Sequence, residues 1–96
     1  MEGTENKEEK CVKVDFTKVA VENIMGEIQY EDFSKVVGNQ IYNQSKELGE
    51  VELAREIYRD GIVNITKKQS EMIMRYFAEQ PYVFKHSLES AMKFED

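Results

Sequence analysis

The sequence predicts an α+β domain, an N-terminal β-hairpin or meander with three to four helices and a short additional strand, and three observations carry that reading. Residues 11–16 alternate, with Val12, Val14 and Phe16 on one face and Lys13 and Asp15 on the other, which is the period of a half-buried strand. Between residues 33 and 60 the apolar positions recur instead at the three- and four-residue spacing of amphipathic helices. Thr66 and Gln69 then stand at the N-cap and N3 positions of a capping box, the most specific local signal in the chain.

In chain order, residues 1–10 are almost wholly charged or small and can bury nothing, so they predict a disordered tail ahead of a single domain over 11–96. Val19 and Val21 continue the alternation, and the Met25-Gly26 turn predicts a hairpin over about residues 18–30. Asp32 is the expected N-cap of the first helix, whose stripe is Phe33, Val36, Val37, Ile41 and Leu48, with Gly49 ending it. Gly38 lies inside that helix, at a cost of about 1 kcal/mol relative to alanine, and so predicts that another element approaches the backbone there, the alternative being a kink at Gly38-Asn39. Val51, Ala54, Ile57 and Tyr58 mark a second helix closed by Gly61. Residues 62–65 read as a strand that adds to the hairpin. The capped third helix buries Met72, Ile73, Tyr76 and Phe77 and stops before Pro81; Phe84, Leu88, Ala91 and Met92 form a fourth, fraying at 94–96. No internal repeat is evident.

A chain of 96 residues is long enough for one core. No apolar run nears the roughly 20 residues of a membrane span, so no membrane association is expected. One cysteine makes no internal disulfide, and the charged start lacks an apolar signal segment; a cytoplasmic location is expected. The net charge of −6 disfavours nucleic acid without excluding it. Residues 31–60 carry four Lys/Arg against seven Asp/Glu, and residues 61–81 three against two.

His86 is the only histidine and Cys11 the only cysteine, so neither has the companions of a catalytic or multi-histidine metal site. No catalytic residue, metal or cofactor is expected. Glu47, Glu50, Glu52, Glu56 and Asp60 read as a solvated helix face laced to Arg55 and Arg59, because their spacing does not fit a calcium loop. The same carboxylates oppose entry of this helix into a DNA groove.

Two candidate surfaces remain. Tyr42, Met74 and Tyr82 are of types enriched where proteins meet, and with the apolar Phe84, Leu88 and Met92 of the last helix they predict an interface on the last two helices with an unknown protein partner or a second copy in a homodimer. The alternative is a small nucleic-acid-binding regulator in which Lys67, Lys68 and Gln69, at the start of the third helix, and Arg75 hold phosphate.

The segments Asp15-Phe16, Met25-Gly26-Glu27, Val36-Val37-Gly38-Asn39-Gln40-Ile41-Tyr42, Leu53-Ala54-Arg55-Glu56-Ile57-Tyr58 and Gly61-Ile62-Val63-Asn64-Ile65-Thr66 together resemble a group of small uncharacterised proteins of phages and integrated mobile elements. The likeness spans about residues 14–77. It implies an intracellular accessory protein of a mobile element and carries no activity with it. The expected function is therefore a non-enzymatic protein-interaction module.

Phe84, Leu88 and Met92 each represent roughly 1.5 to 3 kcal/mol of unfavourable exposure and need either the core or a partner. Leu88→Asp is accordingly expected to disrupt folding or self-association. Unchanged melting together with unchanged mass in solution would rule that out.

Overall fold

The computed structural model describes residues 10–93, and the expected charged tail and C-terminal fraying fall outside them except for Lys10. The chain is α+β. Its elements run β1 (Cys11–Asp15), β2 (Val19–Glu22), β3 (Ile28–Glu31), α1 (Ser34–Gln44), α2 (Leu48–Asp60), β4 (Ile62–Thr66), α3 (Lys67–Tyr76) and α4 (Tyr82–Ala91).

The strands form two separate antiparallel pairs. Alternation in β1 turns Val14 inward, with Phe16 just beyond it, and β4 answers with Val63 and Ile65. These two strands pair in a register that runs from Cys11 opposite Thr66 to Asp15 opposite Ile62. β2 and β3 form the expected hairpin, with Val19 opposite Glu31 and Glu22 opposite Ile28. The expectation that residues 62–65 extend this hairpin is corrected: β4 joins β1 instead.

A sharp turn between β1 and β2 is the reason. The Asp15 carboxylate accepts both the amide and the hydroxyl of Thr17. Phe16, at the apex, donates its amide to the Gly61 carbonyl at 2.7 Å and accepts the Phe33 amide at 2.7 Å. The backbone thus leaves the first pair after Asp15 and begins the second at Val19.

The same local device recurs where none was expected. Asp15-Phe16-Thr17-Lys18-Val19 is repeated as Asp32-Phe33-Ser34-Lys35-Val36. The Asp32 carboxylate accepts the Ser34 amide at 2.8 Å and the Ser34 hydroxyl at 2.6 Å. Both phenylalanines are buried. The first copy leads into a strand and the second into a helix.

At α1 the expected capping role of Asp32 holds to within a residue, since Phe33 already has helical dihedrals and its carbonyl accepts the Val37 amide. The other end differs. α1 stops at Gln44, because Ser45 closes it by donating its amide to the Ile41 carbonyl and accepts the Glu47 amide on its hydroxyl. Gly49 therefore lies in the first turn of α2, and Leu48, assigned to the first helix stripe, is 72% exposed. Val36 is likewise exposed.

α1 and α2 cross at Gly38. A Cβ placed there would lie 2.8 Å from the Tyr58 Cβ and 2.9 Å from the Ala54 carbonyl oxygen, so only glycine permits the approach. Gly61 ends α2 with φ 78° and donates its amide to the Ile57 carbonyl. Thr17 occupies the space that a side chain on Gly61 would need. The capping box at α3 is formed in both directions, Gln69 amide to Thr66 hydroxyl at 3.1 Å and Thr66 amide to Gln69 Oε1 at 2.9 Å. α4 closes the core with Leu88 and Met92. Its Phe84 ring stacks on Phe33 at 4.7 Å and on Phe77 at 5.3 Å.

Gly38 and Gly49 make opposite predictions. Gly38→Ala gains helix propensity but must displace backbone, so a net loss of about 1 to 3 kcal/mol is expected. A methyl group on Gly49 would meet nothing within 4 Å, and Gly49→Ala is expected to gain up to about 1 kcal/mol. Chemical denaturation of the two variants checks both signs.

Candidate interaction surfaces

The six residues expected to form one protein-binding face are divided by the fold. Leu88 and Met92 are buried, and Phe84 is partly buried in the aromatic stack, so these three belong to the chain's own core. Met74 is also partly buried against it. Tyr82 is exposed and stacks on His86 at 5.4 Å, while exposed Tyr42 stands on α1. The expectation of a continuous surface on the last two helices is corrected: burial of the α4 stripe removes its apolar half.

The candidate phosphate-binding group is also rearranged. Lys67 and Lys68 are exposed at the start of α3, but the amide and side chain of Gln69 are occupied by Thr66. Lys68, Gln69 and Arg75 share a shallow groove with Glu47 and Glu50. Carboxylates thus stand where phosphate would have to enter.

Glu50 is a structural node. Its Oε1 accepts the Tyr76 hydroxyl at 2.6 Å and the Ser45 hydroxyl at 2.7 Å, joining the end of α1 to α2 and α3. Gln40 on α1 adds a bond to the Tyr76 carbonyl at 3.1 Å. The Tyr76 and Ser45 hydroxyls hold the Glu50 carboxyl below its ordinary value. The same bond pushes the Tyr76 phenol up. Asp15 and Asp32 are lowered as well, by the hydroxyls of Thr17 and Ser34.

Two features were not assigned to function from sequence. The first is the tip of the β2–β3 hairpin. Asn23 accepts the Met25 and Glu27 amides, both at 2.9 Å, and its own amide donates to the Glu27 carbonyl at 2.9 Å. Its side-chain amide reaches Glu27 Oε1 at 3.1 Å. This bonded loop displays Ile24 at 99% and Met25 at 79% exposure, with Tyr30 at 70% on the strand behind. Apolar residues in a tight loop, where small polar ones are usual, are the signal that a reading for turn geometry alone passes over.

The second is a groove of about 390 Å³ between α1 and α2, floored by Gly38 and Ala54 and walled by Tyr42, Tyr58, Arg55 and Arg59. The Arg55 guanidinium lies 5.6 Å from the centre of the Tyr42 ring. Lys35 Nζ lies 4.3 Å from that of Tyr58 and donates to the Tyr58 carbonyl at 2.8 Å. Arg59 is tied to the Asp60 carboxylate at 2.9 Å. The expected pairing of Arg55 with neighbouring glutamates is absent among the described residues, and the tyrosine face takes its place.

Cys11 is exposed on β1. Among the described residues no group of three His, Cys, Asp or Glu side chains could hold a metal ion. No described helix is long and apolar enough to cross a membrane. Comparison with family models, curated proteins and solved structures finds no match to this chain.

The Glu50 bonds set a pH dependence. A carboxyl lowered in the folded state contributes stability that is fully present above its ordinary value and is lost as pH falls from there through the lower folded value. The raised phenol acts oppositely: its contribution is complete below about pH 10 and is lost as pH rises through the folded value. Tyr76→Phe is expected to cost about 1 kcal/mol at neutral pH, allowing for partial exposure. Glu50→Gln is expected to flatten the acid side of the stability profile, as read by thermal unfolding from pH 3 to 7.

Proposed function

We propose that this chain is a non-enzymatic protein-interaction module, a small accessory protein of a phage or mobile element acting in the cytoplasm, and that its binding element is the β2–β3 hairpin. One observation carries the reading: a loop fixed by Asn23 holds Ile24 and Met25 out in water. Each apolar side chain moved from water into an interface contributes roughly 1.5 to 3 kcal/mol, and a loop already fixed loses little entropy on binding.

The flanking charges select the partner. Residues 19–32 carry Glu22, Glu27, Glu31 and Asp32 and no Lys or Arg. An acidic rim around an apolar tip favours a basic protein surface and opposes phosphate. This supports a protein partner over the nucleic-acid reading.

The double variant Ile24→Ser/Met25→Ser is expected to unfold within about 0.5 kcal/mol of the parent, since neither side chain packs on the core. A photoreactive residue at position 28 is expected to crosslink protein in the producing cell, and this is lost in the double variant. Strong destabilisation, or adducts indifferent to both substitutions, would overturn the reading.

A further inference from the structure

Resting on the hairpin as the binding element, we infer that its partner is a second copy of this chain, whose α1–α2 groove receives the Ile24-Met25 tip. The two surfaces are complementary in sign. The tip segment has four carboxylates and no cation, whereas the groove is walled by Arg55 and Arg59, carries Lys35 at its rim and has no carboxylate among its lining residues. Arg59 is paired with Asp60, whereas Arg55 lies on the Tyr42 ring and Lys35 on the Tyr58 carbonyl with no carboxylate partner among the described residues, so these two cations face Glu22 and Glu27.

They are complementary in shape and polarity as well. Gly38 and Ala54 are buried where α1 meets α2, and beside this seam the groove has room for apolar side chains between Tyr42 and Tyr58. A thioether contacts aromatic rings favourably, which suits Met25 to this position. Both surfaces are exposed within one chain, so neither satisfies the other internally.

The contact is heterologous: each copy that docks its tip still has an open groove, and the reverse. Such contacts propagate into open chains or close into rings. The patch is small, so association is transient, grows with protein concentration and weakens with salt.

Sedimentation of the full chain across concentration tests this. The parent is expected to gain mass with concentration, less so at high salt. Met25→Asp removes the tip and Arg55→Glu reverses the groove, and each alone is expected to weaken association at least tenfold while melting like the parent; Arg55→Ala serves if the reversal disturbs folding. Mixing the two variants is the decisive arm. One retains a groove and the other a tip, so the mixture is expected to form one-to-one dimers and nothing larger. A parent that stays monomeric, or association indifferent to Arg55, overturns the inference. Association lost with Met25→Asp but not restored by mixing also overturns it, showing tips meeting tips. In each case position-28 crosslinking still decides separately whether the hairpin binds protein at all.

Discussion

The peptide groups on either side of Phe16 hold the architecture together. Its amide is bound to Gly61, where α2 gives way to β4, and its carbonyl is bound to Phe33, where α1 begins. One residue thereby fixes the end of one helix, the start of another and the point at which the chain leaves the first strand pair. The ring is fully buried, so these bonds are sheltered from competing water. Gly61 is needed on the other side because Thr17 lies against it and because its φ is positive.

Repetition of the Asp-Phe-Ser/Thr device shows how far local sequence reaches. In both copies an aspartate accepts the amide and hydroxyl two residues on, and in both a phenylalanine is driven inward. Yet Lys18-Val19 continues as strand and Lys35-Val36 as helix. After the second copy come Val37 and Ile41 at helical spacing; after the first, Val19 and Val21 alternate. The turn is a local property, while the element that follows is set by the apolar period and by what it packs on.

That distinction explains what was legible. The capping box at Thr66, the hairpin turn at Gly26 and the alternation of β1 each depend on residues within one or two turns, and each stands where the sequence puts it; at Gly38 the residue type shows a close approach, but its partners Ala54 and Tyr58 come from another helix. The partner of β4 does not: pairing with β1 requires the Phe16 bonds, made between residues far apart in the chain. α1 ends ahead of Gly49, the stronger generic stop, because Ser45 closes its bonds four residues earlier. The apolar stripe of α4 turns to the core and not to a partner for a related reason. Periodicity shows that Phe84, Leu88 and Met92 share a face, and only the fold shows that this face meets Phe33 and Phe77.

Stability and recognition are consequently carried by different parts of the chain. The core, the Glu50 node and the Phe16 bonds join β1, β4 and the four helices, whereas every residue of β3 is exposed. The hairpin enters the core through Val19 and Val21 of β2, while β3 and the tip lie off it, so the tip can stay apolar without endangering the fold. The groove differs, because it runs along the seam where the absence of a Cβ at Gly38 lets α1 approach α2. Any side chain introduced at Gly38 would disturb packing and groove together. Positions 38 and 54 are thus where the demands of folding and of binding coincide, while the tip and the Arg55 wall can vary independently of the core.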